Sequence, residues 1–289
     1  MKKTTQFTLT LFLSSFLLFS QQDSLSNIQN YTPSKLLEKG KVDIKWFNNL
    51  YTQTRENSNG ENKDVARSNF FTTSLEVFTG ISENKKINLG LIVEYRSNSF
   101  AGENTTSVFE FENKVGKSRI GLSHIAPSLK IAPFSSLPRF SVQSSLFIPV
   151  FKDEVNSNGF LAQKSFIWQN RFFYDYTFPG SKFQLFTEFG TRLFLGNKDE
   201  GFANNSIELA PGVFLSYFPS SKFTILGFLQ HAQLVDLGND FAQNYTAIGT
   251  GSKYQLTPIL NLELLYSKFV RAQDGGIGQS FNLGLRAIF

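Results

Sequence analysis

The chain has 289 residues, 41% of them apolar, with a net charge of +5, 33 Phe, two His, one Met and no Cys. The missing Cys excludes disulfides, thiolate catalysis, a Cys-based zinc site and a lipidated N-terminal Cys, and two His exclude a His-rich metal centre. Positive charge is scattered rather than blocked, so no nucleic-acid partner is expected, and neither is a metal or a cofactor.

Lys2-Lys3 followed by the apolar run Phe7–Phe19 reads as a signal peptide over residues 1–20, with cleavage near Ser20–Gln21. The run is too short and too polar for a membrane helix, and no later stretch is long and apolar enough for one. Any further membrane crossing must therefore use strands. Residues 21–40 form a polar lead-in without period, expected in the periplasm.

From Lys41 onward the chain alternates in segments of roughly 10 to 16 residues separated by turn chemistry. Lys41–Thr54 sets Val42, Ile44, Trp46 and Leu50 on one face, and the polar stretch 55–66 reads as a long loop. Arg67–Ile81 and Ile87–Asn98 alternate on either side of a tight connection, and 99–116 reads as a second long loop. Lys117–Ala132 slips phase at Ser123–His124, which a β-bulge would reconcile. Arg139–Phe151 follows, then the loop 152–160, then Leu161–Phe178 and Ser181–Gly196. Ser206–Phe218 alternates clearly, while the strand over 221–237 has no clear phase. Phe241–Leu256 contains Gly249-Thr-Gly251 in mid-strand, where Gly suggests a bend or bulge. After Ile259–Arg271, the stretch Gln279–Phe289 puts Phe281, Leu283, Leu285, Ala287 and Phe289 on one face against Ser280, Asn282, Gly284 and Arg286.

These segments predict an all-β fold, an up-and-down antiparallel β-barrel of about twelve strands over residues 41–289, spanning the outer membrane as a monomer. Long and short connections alternate, as outside loops and periplasmic turns do in such barrels. Phe178-Pro-Gly-Ser-Lys-Phe183 and Phe218-Pro-Ser-Ser-Lys-Phe223 repeat at short turns, and their Phe, with Tyr174, Tyr176 and Tyr217, are expected to form a periplasmic aromatic belt. A lipid-facing Arg or Lys at mid-plane would cost about 2–4 kcal/mol, so the charged residues of the strands are expected to face the lumen. On the first six strands these are Glu76, Glu94, Arg96, Lys130, Arg171 and Asp175. On the later strands they are Glu188, Arg192, Glu208, Lys253, Glu263 and Arg286, the last placed near Asp43 or Glu263.

The expected function is passage of a small solute. The alternative is a structural or surface-interaction barrel with a closed, ion-paired lumen, binding through the loops 55–66, 99–116 and 152–160. No enzyme is expected. Ser123 and His124 are adjacent, so on a regular strand they point to opposite faces and cannot share a nucleophile–base hydrogen bond. His231 has no Ser near it on its own strand, and both His read as rim or lumen residues.

From Arg119 to Phe289, about the last three-fifths of the chain, the strand rhythm, Gly249-Thr-Gly-Ser-Lys-Tyr254 followed by Leu260-Asn-Leu-Glu-Leu264, and Phe281-Asn-Leu-Gly-Leu285 resemble the outer-membrane proteins described as transporters of the phenol-degradation meta-pathway class. That resemblance implies a barrel and passage of small hydrophobic or aromatic compounds. It assigns no residue roles. The leader and the Asn-, Lys- and Phe-rich usage are similar to proteins of Bacteroidota. The final aromatic, Phe289, resembles the signal read by the barrel-assembly machinery, so that machinery and outer-membrane lipids are the expected partners.

Overall fold

A computed structural model describes residues 32–152, 159–198, 201, 203–238 and 240–289. The expected signal peptide and the first part of the lead-in lie outside them. The strands are β1 (Val42–Ser58), β2 (Glu61–Gly80), β3 (Ile87–Ser99), β4 (Ser118–Ile131), β5 (Phe140–Pro149) and β6 (Phe166–Thr177). They continue with β7 (Phe183–Leu195), β8 (Ser206–Ser220), β9 (Phe223–Asp236), β10 (Gln243–Gln255), β11 (Leu260–Gln273) and β12 (Gly275–Ile288). Each pairs antiparallel with its sequence neighbours, and β1 pairs with β12, giving a closed barrel of twelve strands. Closure leaves no unpaired edge, which is what lets a sheet stand in a medium without water.

Alternation sorts the two faces. Trp46, Leu75, Leu91, Trp168, Phe189, Leu215, Leu229, Leu264 and Phe281 point outward and are exposed all round the barrel. A water-soluble monomer does not carry an apolar surface of that extent, whereas a barrel in hydrocarbon requires it. Near the end where Val42 and Phe289 exchange backbone hydrogen bonds (here the terminal end), Tyr176 meets Phe178 at 5.1 Å and Phe183 stacks on Tyr217 at 5.0 Å. This is the expected aromatic belt, except that Phe218 is buried and turns inward.

The structure corrects several boundaries. The stretch 55–66 is not a long loop: β1 and β2 run on through it and turn at Asn59-Gly60, whose φ values of 53° and 83° suit a two-residue hairpin. Polarity there marks strands that leave the apolar band. The loop after β3 carries a 3-10 helix, Thr105–Glu110, and its Phe109 packs edge-on to Phe71 at 5.1 Å, against the outer wall. β6 begins at Phe166, not Leu161: the stretch before it is loop, and Leu161, Ala162, Gln163 and Ser165 are buried. The expected bulge is present, because Glu94 pairs with His124 and Tyr95 with Leu122, leaving Ser123 as the extra residue.

Candidate functional site: the interior chamber

The barrel interior holds a cavity of about 500 Å³, closed differently at its two ends. At the terminal end the last residues of the lead-in enter the barrel instead of remaining outside it, which corrects the expectation for that part of 21–40. Thr32 Oγ1 donates to Asp175 Oδ1 at 3.1 Å, and the Lys130 ammonium donates to the backbone carbonyls of Pro33 and Lys35. Leu37 is buried with Phe78, Ile92, Ala126 and Ile288. Gly80 fixes the exit of this strap: a Cβ there would lie 2.1 Å from the Glu38 carbonyl oxygen, so the crossing backbone needs a residue without a side chain. Outside the wall, Glu38 pairs with Lys85 at 2.6 Å, and that ammonium holds the Glu38 carboxyl below the usual carboxylate range.

At the distal end the loop before β6 folds inward. Asn98 Nδ2 donates to the carbonyls of Phe160 and Leu161 at 2.8 and 2.9 Å, and Gln163 donates to Asn204 Oδ1 at 2.6 Å. Below them Ile167, Phe194, Ala203 and Leu234 form an apolar cluster with Phe147 and Phe241 packed against it. Leu161, Ala162, Gln163 and Ser165 thus cover the interior, while Phe160, at the described end of the loop 152–160, keeps an exposed side chain.

Between these closures, Glu76, Lys130, Arg171, Glu188, Lys253, Glu263 and Arg286 line the cavity. Cross-strand ion pairs tie most of them. Arg171 forks onto Glu188 at 2.7 and 3.1 Å, Lys253 meets Glu263 at 2.5 Å, and Arg286 meets Asp43 at 2.6 Å. Nearer the distal end Arg96 pairs with Glu94 at 2.8 Å and Arg192 with Glu208 at 2.5 Å, outside the cavity lining. Asp175 sits at the terminal end on Thr32. Sheet geometry explains the pairs: Glu94 and Arg96, two residues apart on β3, share a face, and in the others inward side chains on neighbouring strands face each other directly or one step along the diagonal.

The bulge changes the geometry expected at Ser123 and His124. Both reach Glu94 Oε1, the hydroxyl donating at 2.7 Å and His124 Nδ1 lying 3.4 Å away, so they do not point to opposite faces. The Ser123 proton goes to the carboxylate rather than to the imidazole, and His124 Nε2 is buried without a partner between the edges of Phe147 and Phe151. The trio braces the bulge and contains no nucleophile–base pair. His231 accepts or donates at Thr246 Oγ1, 2.9 Å away, on the outer face of β9 and β10 near the distal end.

Sequence reasoning missed the aromatic part of the lumen. Phe173, Phe186, Phe214 and Phe228, on β6 to β9, line the cavity as a ladder with centroid spacings of 6.0, 5.4 and 5.3 Å. Across from it Tyr51 and Tyr245 flank Phe269 at 4.8 and 4.7 Å. A faint signal existed: β9 has no clear phase because Leu226 and Phe228 face inward while Ile225 and Leu229 face outward. Gly249 belongs to the same feature. It sits opposite Phe228, whose ring covers it so closely that a Cβ would lie 2.1 Å from Cζ.

No family model matches the chain, and no curated protein matches it. Among solved structures it is similar to an outer membrane channel from Pseudomonas putida F1, at 10% identity and a TM-score of 0.72 over 94% of this chain and 100% of that one. It is also similar to the β domain of the Bordetella autotransporter BrkA, at 12% identity and a TM-score of 0.58 over 86% of this chain and 100% of that one. The chain has the fold of outer-membrane β-barrels.

Proposed function

We propose that the protein is an outer-membrane channel for a small solute, as the resemblance to the phenol-degradation transporter class implies, and that both ends of the barrel lie in the periplasm, as in other barrels of this membrane. The observation that carries this reading is the chamber: the interior is not packed solid but keeps about 500 Å³ between its two closures. Twelve strands lie between the filled eight-stranded barrels and the open sixteen-stranded ones. The apolar outer band and the shared fold with an outer membrane channel support the membrane location. In planar bilayers the full chain is expected to open in brief steps, and a variant lacking residues 32–38 to conduct continuously. The second reading, a closed ion-paired barrel, draws on the occupancy of both ends. It wins if neither form conducts while both migrate as folded barrels on unheated gels.

A further inference from the structure

The chamber has two unlike walls, and they meet at Phe173. That ring ends the Phe173–Phe186–Phe214–Phe228 ladder. Beside it lie the Arg171 guanidinium, 4.9 Å from the centroid, and the Lys130 ammonium, 5.3 Å away. The two cations differ in what they have left to offer. The charge of Arg171 is balanced by its fork onto Glu188. Among the described residues Lys130 has no carboxylate at ion-pair distance. It spends two donors on neutral carbonyls, those of Pro33 and Lys35, and an ammonium has three. Lys45, across the lumen, sits 4.8 Å over Phe47 and likewise makes no ion pair among the described residues. The lining as a whole carries six cationic side chains against four carboxylates, and counting Asp175 beside Thr32 still leaves an excess of one positive charge.

A neutral hydrocarbon would use the ladder and leave that charge unanswered. A small inorganic anion would use Lys130 and leave the ladder idle. A planar aromatic anion satisfies both. Rings stack or meet edge to face on aromatic side chains, and an ammonium–carboxylate hydrogen bond in a confined site is about twice as strong as a neutral one. The volume is within the range of small-molecule sites. We propose that the chamber binds single-ring aromatic carboxylates, the ring lying against Phe173, Phe186 and Phe214 and the carboxylate taking the remaining donor of Lys130. This rests on the channel reading for the route in, and it names the solute class.

The test is calorimetric titration of the full barrel in detergent with benzoate, cyclohexanecarboxylate and benzyl alcohol. Benzoate is expected to bind about 10-fold more tightly than benzyl alcohol, the factor that about 1.4 kcal/mol represents. Lys130→Met also removes the two strap hydrogen bonds, so the readout is the ratio: the benzoate-over-benzyl alcohol preference should fall to about one, whatever happens to the affinity for benzyl alcohol, and Lys130→Arg, which keeps the charge, should retain it. Phe214→Leu should lower the preference for benzoate over cyclohexanecarboxylate with the charge preference intact. Equal affinity for benzoate and benzyl alcohol, or a Lys130→Met barrel that keeps the preference, overturns the assignment. Liposome swelling distinguishes this failure from that of the channel: swelling with arabinose but no benzoate preference in titration sinks only the aromatic-anion assignment. Benzoate binding with the expected preference and no swelling by any solute supports the site and sinks the channel.

Discussion

Replacing Gly80 with Ala tests whether the strap is a docked closure. The new methyl would lie 2.1 Å from the Glu38 carbonyl oxygen and 2.7 Å from that of Leu37, both backbone atoms that cannot swing aside. The strap must lift. Lifting exposes Leu37, 2% exposed in the docked state, and breaks the bond from Gly40 N to the Gly80 carbonyl. Burial of a Leu side chain contributes about 2 kcal/mol and a backbone hydrogen bond about 1 kcal/mol. Docking should therefore weaken by about 3 kcal/mol, roughly a hundredfold in the equilibrium. The barrel itself should not suffer, because Ala is the better strand residue by about 0.5–1 kcal/mol. Limited proteolysis of the purified barrel reads the outcome: cleavage within residues 32–40 should become fast while the barrel band persists. Leu37→Ala, which removes the same apolar contact without a clash, should move in the same direction. A Gly80→Ala strap as protected as the original would refute the reasoning.

The Glu38–Lys85 pair makes docking acid-sensitive. The folded carboxyl titrates below its ordinary value of 4.5, so its contribution is present above that pH and fades as pH falls through the lowered one; in Glu38→Gln, strap protection should change less on acidification, the Thr32–Asp175 bond being left in place. Gly249→Ala puts a methyl against the Phe228 ring and the Tyr266 carbonyl, 2.5 Å away, and should cost about 1–3 kcal/mol, read as a lower melting temperature and an altered near-UV signal. Phe289 is 60% exposed, so its side chain adds little to packing; deleting it should reduce insertion into the outer membrane while export across the inner membrane continues, and unchanged insertion would remove its role as an assembly signal.

Much of the barrel was legible in the residues. A period of two is a local property, and in a closed sheet the same alternation repeats along every strand. That is why the outward faces and the Ser123 bulge follow from spacing, whereas spacing left Arg286 between Asp43 and Glu263 and the structure pairs it with Asp43. The polar stretch 55–66 misled because polarity reports where a strand leaves the apolar band, not where it ends. Ser123 and His124 misled for the opposite reason: a bulge suspends the alternation on which the two-face argument depends.

The chain by itself determined the strand rhythm, the lipid wall and the inward direction of the charges. Each follows from the cost of putting a side chain in the wrong solvent. What occupies the lumen was decided only by the tertiary structure. Leu37 meets Ile288, and Lys130 meets Pro33, across separations that no local pattern encodes. The aromatic wall was hidden for a related reason. A Phe that faces lipid and a Phe that faces an aromatic neighbour are both apolar residues on a strand, and only closure of the barrel puts Phe173, Phe186, Phe214 and Phe228 side by side within it.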